Sequence, residues 1–293
     1  MITKSKSSFA RTKTRDSVAR TKPQPGICRV AAVQMASGPS VAANLSEAER
    51  LVGMAAAQGA KLVVLPEFFA IMGKKASDTV AVREAEGKGP MQKFLGAMAK
   101  KHKIWVVGTV PLEAGIPTKV RNSCLLYDDK GKLAARYDKI HLFGLDLGNE
   151  KYREDKTIEP GDQVVVAETP FGRIGLSVCY DLRFPELYRA MGDVALIVVP
   201  SAFTETTGKA HWETLVRARA IENQAYVVAA AQGGYHLSGR ETHGNSMIVD
   251  PWGVILDRLP RGSGVVIANV NPAYQASLRK SLPALTHRTL RSC

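Results

Sequence analysis

Cys179 closes an apolar run, Gly175-Leu176-Ser177-Val178, and is followed by Tyr180-Asp181-Leu182-Arg183-Phe184-Pro185-Glu186. A cysteine at the turn between a strand and a helix presents its sulfur, and a thiolate attacks carbonyl carbon. The next backbone N–H, that of Tyr180, then points to where an oxyanion would form. The plainer reading is a small buried hydrophobe with no reactivity. Glu67 stands in Leu65-Pro66-Glu67-Phe68-Phe69, between proline and two aromatics. A carboxylate stripped of water there gains basicity and serves as a general base; otherwise it is a strand-end glutamate in solvent. Lys139 lies in Tyr137-Asp138-Lys139-Ile140-His141-Leu142-Phe143. It is either a fixed cation beside a reacting centre or a lysine that snorkels to water. His141 reads as a hydrogen-bonded structural histidine.

Each of these groups needs an element to aim it. The runs Arg29–Met35, Lys61–Leu65, Ile104–Val110, Asn122–Tyr127 and Leu133–Tyr137 read as strands. Further strands are expected at Gln163–Glu168, Ile174–Val178, Ala195–Val199, Tyr226–Ala231, Ser246–Asp250, Val254–Asp257 and Val265–Val270. Helical spacing of apolar residues marks Val41–Gln58, Met91–His102 and about Ala210–Asn223, and a short helix begins near Pro185. Residues 138–162 have no period and read as a long functional loop. Strands and helices alternate with hairpins between them, so the α/β fold has mixed sheets covered by helices. Glu67, Lys139 and Cys179 all fall at strand ends.

The composition is that of a soluble globular protein: 293 residues, 45% hydrophobic and 23% charged. No apolar run reaches the roughly 18 residues of a membrane span, and the start has no apolar stretch of the secretory kind. Cys28, Cys124, Cys179 and Cys293 are far apart, with no metal-ligand spacing. Reduced cysteines and a cytoplasmic location are the expectation. The net charge of +13 is uneven, with +6 on residues 1–26 and +7 on the rest. That basic, Ser/Thr-rich tail is expected to be disordered. A transit peptide and a nucleic-acid arm are the sharper readings of it, and neither has a defining motif. Little chain follows Leu290 for a further strand or regulatory segment.

A strand-end Glu, a strand-end Lys and a strand-end Cys in that order resemble the nitrilase superfamily of carbon–nitrogen hydrolases. The resemblance spans about residues 28–285. It extends to Pro200-Ser201-Ala202-Phe203, His211-Trp212-Glu213, Arg217-Ala218-Arg219-Ala220-Ile221-Glu222-Asn223, Gly244-Asn245-Ser246-Met247 and Asp250-Pro251-Trp252-Gly253. It implies a four-layer α-β-β-α sandwich, with Glu67 as base, Lys139 as oxyanion stabiliser and Cys179 as nucleophile. It also implies a second glutamate that holds the lysine; Glu154 matches best, with Glu150 as the alternative. Arg183 is a clamp for a substrate carboxylate or a salt-bridge partner of Glu186 or Asp181, while Phe203 and Thr207 are pocket walls. Arg217, Arg219 and Glu222 read as scaffold, and Trp212 and Trp252 as packing residues.

Tyr180 and Asp181 stand where nitrile hydrolysers typically have Trp and Glu, so the expected substrate is an amide. The segments His211–Gln232 and Asp250–Gly253 are similar to the deaminated-glutathione amidase branch, from which Asn245 departs, since members commonly have His or Gly there. The expectation is therefore hydrolysis of a linear amide of a small carboxylated metabolite, deaminated glutathione first. It would proceed through a Cys179 thioester with release of ammonia, and without metal or organic cofactor. An ω-amidase acting on 2-oxoglutaramate is the alternative, followed by a basic nucleic-acid-binding protein and a silent scaffold. The resemblance implies a homodimer or higher homo-oligomer and no nucleic-acid or membrane partner.

Overall fold

A computed structural model describes residues 26–148 and 150–290. The expectation for the basic tail, and Cys293, lie outside the described residues. The chain begins with β1 (Cys28–Gln34), α1 (Val41–Ala57), β2 (Leu62–Val64), α2 (Ser77–Ala81), α3 (Pro90–His102), β3 (Trp105–Glu113), β4 (Val120–Tyr127) and β5 (Leu133–Asp138). Then come the hairpin of β6 (Gly144–Asp146) and β7 (Lys151–Arg153), β8 (Val166–Thr169), β9 (Gly172–Leu176), α4 (Pro185–Ala190), β10 (Leu196–Val198) and α5 (Glu205–Asn223). Last are β11 (Tyr226–Ala229), the hairpin of β12 (Gly233–Tyr235) and β13 (Glu241–His243), β14 (Ser246–Val249), β15 (Ile255–Leu259), β16 (Gly264–Val270) and α6 (Pro272–Ser281).

Two six-stranded sheets result, in the orders β16-β1-β2-β3-β4-β5 and β15-β14-β11-β10-β9-β8. Both are mixed: β1 runs parallel to β2 and antiparallel to β16, and β10 runs parallel to β9 and β11 while β11 opposes β14. The side-chain alternation of a strand explains the layering. On β1, Val30 and Ala32 pack with Ile174, Leu176, Leu196 and Val198 of the other sheet. Ala31 and Val33 point the other way, onto Leu51 and Val52 of α1 and Leu95 and Met98 of α3. The second sheet is covered in turn by Leu187 of α4 and by Trp212 and Val216 of α5. Helix, sheet, sheet and helix therefore stack as the four expected layers. No described helix is long and apolar enough to cross a membrane.

Several boundaries differ from the sequence reading for local physical reasons. Helix α5 starts at Glu205 rather than Ala210, because Thr204 Oγ1 accepts the Thr207 N–H at 3.3 Å and caps it. The apolar period begins only where the helix meets the core, so it misses the capped first turn. The long loop over 138–162 holds β6, β7 and one 3₁₀ turn, Glu154–Lys156, each too short for a period to register. Helix α6 carries a readable signal that periodicity missed: Asn271 caps it, accepting from Ala273 and Tyr274, with Pro272 in the first turn. Of the two tryptophans expected to pack, Trp212 does, at 1% exposed, whereas Trp252 is 58% exposed in its turn.

Candidate active site

Lys139 follows β5 directly and is fully buried. Its Nζ donates to Glu67 Oε1 at 2.9 Å and to Glu154 Oε2 at 2.8 Å and Oε1 at 3.1 Å. It does not snorkel, and Glu67, 1% exposed, is not in solvent. Of the two glutamates weighed on the loop, Glu154 and not Glu150 contacts the lysine, and both line an outer cleft. Burial disfavours the ammonium of Lys139, but the Glu154 and Glu67 carboxylates act more strongly together and raise its pKa. Burial pushes the Glu154 carboxyl up, against the pull of Lys139 and with the repulsion of Glu67. The side chain of Glu67 is further fixed by Asn122 Nδ2, which donates to Oε1 at 2.9 Å. Its carbonyl accepts Gln232 Nε2 at 3.0 Å. Phe68 next to it sits at φ 58°, with its N–H donating to Thr109 Oγ1 at 3.0 Å.

Cys179 begins the turn after β9 at φ 49°, in the left-handed region. For a non-glycine residue that backbone costs about 1–3 kcal/mol and persists only where surroundings impose it. Here Cys179 N–H donates to Pro200 O at 2.9 Å, and its Sγ accepts the Ala202 N–H at 3.5 Å. Burial first, then the Glu67 charge, hold the thiol well above its ordinary pKa, while Lys139 pulls it down. The turn is stapled by Asp181, which is wholly buried. Its Oδ2 accepts Val178 N–H at 2.9 Å and Tyr137 OH at 2.7 Å, and its Oδ1 accepts His141 N–H at 3.1 Å and faces His141 Nδ1 at 2.8 Å. One carboxylate thereby ties the cysteine turn to the chain on both sides of Lys139. His141 also stacks on Phe184 with ring centroids 3.7 Å apart, the structural role expected of it. Arg219 of α5 donates twice to Leu182 O and pairs with Glu222 at 2.7 Å, so it is scaffold.

A small pocket over the sulfur is lined by Cys179, Phe143, Tyr180, Arg183, Phe203 and Thr207. The structure therefore gathers the three residues expected around a substrate. The Arg183 guanidinium lies 5.6 Å from the Tyr180 ring centroid and 5.3 Å from that of Phe203, with Nη1 3.2 Å from His211 Nδ1. The alternative salt bridge of Arg183 is not formed, since Asp181 faces away into its own bonds. Beside the pocket, and sharing Phe143 with it, opens a cleft of about 740 Å³ that also holds Glu154, Tyr152 and Arg240. Asn245, the departure noted in the sequence, sits away from both at φ 56°. Asparagine tolerates that conformation. Its Oδ1 accepts Arg258 Nε at 2.7 Å and its carbonyl accepts Trp212 Nε1 at 2.8 Å, so it joins β13, β15 and α5.

Sequence reasoning missed Asn122, Gln232 and the stapling by Asp181. Two left a signal. Gln232 ends the apolar run from Ala225 as Glu67 ends its own, and Asn122 is a residue depleted from strand interiors.

Two mixed sheets, four layers and a buried Glu-Lys-Glu cluster beside a cysteine define a class, and the chain belongs to the carbon–nitrogen hydrolase family, whose pattern matches residues 29–280. It is 43% identical over 269 residues to the deaminated glutathione amidase of Synechocystis sp., covering 88% of this chain and 97% of that one. It is 40% identical over 264 residues to the deaminated glutathione amidase of Yersinia enterocolitica, covering 88% and 92%. The crystal structure of Saccharomyces cerevisiae Nit3, a member of branch 10 of the nitrilase superfamily, superposes with a TM-score of 0.82 at 31% identity, covering 93% of this chain and 100% of that one. The protein is a hydrolytic amidase that acts on small-molecule amides.

Proposed function

We propose that this amidase hydrolyses deaminated glutathione through a thioester on Cys179. One observation carries the mechanism: Lys139 is clamped between Glu67 and Glu154 beside the buried Cys179. Glu67 takes the Cys179 proton as sulfur attacks the amide carbon. The carbonyl oxygen becomes an oxyanion facing the Lys139 ammonium and the Tyr180 N–H, and each such donor contributes about 3–4 kcal/mol in comparable sites. The C–N bond breaks as Glu67 returns the proton to nitrogen. Glu67 then deprotonates a water that attacks the thioester, and the thiol regains its proton as the acid departs. Glu154 keeps the ammonium aimed. Arg183, free of any carboxylate partner among the described residues, binds the acyl carboxylate against Phe203 and Thr207.

The expected release of ammonia needs correction on chemical grounds. Deaminated glutathione offers a secondary amide, so the leaving group is the amine of cysteinylglycine; ammonia leaves only from a primary amide such as 2-oxoglutaramate. The substrate assignment is supported by the names of the relatives and by the unpaired Arg183 over a small pocket.

The test is cysteinylglycine release from deaminated glutathione and ammonia release from 2-oxoglutaramate side by side, with Cys179→Ala as the blank. Faster turnover of the first, with the blank lowered at least about 10⁴-fold, supports the whole reading. Turnover of 2-oxoglutaramate alone keeps the mechanism and makes the protein an ω-amidase. Full activity in the blank removes Cys179 as nucleophile. The same reading includes a homodimer. It is supported by exposed apolar Trp252 and Val254 flanking Gly253, against which the exposed Ile221 lies.

A further inference from the structure

The open cleft beside the Cys179 pocket contains a cation, Arg240, with no salt-bridge partner among the described residues. Arg240 lies in the turn between β12 and β13, its guanidinium carbon 5.0 Å from the Tyr152 ring centroid. Its Nη2 donates to Ala202 O, while Nε is enclosed by protein with no hydrogen-bond partner. Three of the four carboxylates that line the same cleft are already engaged. Glu205 and Glu241 pair with Arg261 and Glu154 pairs with Lys139, while Glu150 forms no salt bridge with Arg240. No carboxylate pairs with Arg240 among the described residues. A guanidinium with unused donors in a concave site is a carboxylate receptor, because its planar fork matches the two oxygens.

The distance fits a particular ligand. Ala202 contacts both ends of the span: its N–H donates to Cys179 Sγ at 3.5 Å, and its carbonyl accepts Arg240. Arg240 is therefore one residue and two hydrogen bonds from the sulfur, on the order of 9 Å at most. Two extended residues span about 7 Å, and the carboxylate they carry adds its own reach. The direction also fits. The pocket holding Arg183 has about 10 Å³ of free space and the neighbouring cleft about 740 Å³, so a two-residue group on the amide nitrogen finds its room in the cleft.

We infer that Arg240 binds the terminal carboxylate of a two-residue extension on the nitrogen side of the scissile amide, and so sets the preference for extended over short amides. The inference deepens the proposed function and rests on it. Arg183 and Arg240 then hold the two carboxylates of one substrate on opposite sides of Cys179.

The experiment compares kcat/KM for deaminated glutathione and for its C-terminal carboxamide in the wild type, Arg240→Gln and Arg240→Lys, following release of the dipeptide portion. The wild type is expected to favour the free acid at least about tenfold. Arg240→Gln brings that ratio to within about threefold of unity, mainly through KM, and Arg240→Lys keeps part of it. A ratio that survives Arg240→Gln, with both substrates falling together, makes Arg240 a prop for Ala202 and overturns the inference. A wild type that turns over deaminated glutathione without preferring the acid overturns the inference alone. A wild type that turns over only 2-oxoglutaramate overturns the proposed substrate as well.

Discussion

Lys139 performs two tasks that separate on substitution. On the proposed mechanism it faces the reaction, and it neutralises two buried carboxylates 2.9 and 2.8 Å away. Lys139→Met leaves Glu67 and Glu154 facing each other without a cation, and breaking a buried pair this way costs about 3–5 kcal/mol. Adding Glu154→Gln to Lys139→Met should return much of that stability, because one buried charge is gone, while activity stays lost. Denaturant midpoints and kcat on the same samples check both halves. The cysteine yields a pH prediction. Its thiol is raised by burial and by Glu67, so the thiolate grows only in the alkaline range. Alkylation of Cys179 by iodoacetamide in a Cys28→Ser, Cys293→Ser background should climb steadily from pH 6 to pH 10, and Lys139→Met should slow it at every pH, since the cation that lowers this pKa is missing. A rate that is flat below pH 7 would mean a resting thiolate and refute the base role of Glu67.

The elements that aim these groups are joined by Asp181. Four donors converge on it from β5, the chain after Lys139 and the cysteine turn. Asp181→Ala leaves them buried and unpaired, at about 1–3 kcal/mol for each group that water cannot reach. The expected outcome is a protein destabilised by several kcal/mol whose kcat falls more than its KM rises, because the turn that carries Cys179 at φ 49° loses its anchor. Glycine matters at one place on α5. A Cβ at Gly208 would stand 2.3 Å from His243 Cβ, so Gly208→Ala should push β13 off the helix and disturb the hairpin that bears Arg240. Paired loss of stability and of the free-acid preference would show that coupling.

At the scale of the molecule the basic excess and the exposed apolar patch call for different tests. Residues 1–26 hold +6 of the +13 net charge. A chain lacking them should keep its amidase kinetics and lose whatever low-salt affinity for duplex DNA the full chain has, since such affinity follows the number of cations that reach phosphates. Retained DNA affinity would revive a nucleic-acid role for the folded body. Ile221, 49% exposed, lies against Gly253, whose neighbour Trp252 is 58% exposed. Trp252→Asp should therefore shift a sedimenting dimer toward monomer at micromolar concentration. An unchanged sedimentation coefficient would remove this patch from the interface.

The sequence by itself determined the strands and the three strand-end residues. Both signals are local: an apolar run has a period, and a Glu, Lys or Cys that ends one breaks the pattern within a few residues. The tertiary structure alone decided how those residues meet. Gln232 reaches Glu67 across 165 residues, Lys139 reaches Glu67 across 72, and Tyr137 reaches Asp181 across 44. It also brought Glu154 and not Glu150 onto Lys139, the two differing by four residues in a stretch too short for any period, and it left Arg183 and Arg240 without carboxylate partners among the described residues. Such facts depend on which face of one sheet is stacked on the other, and residue spacing along a single chain does not encode that stacking.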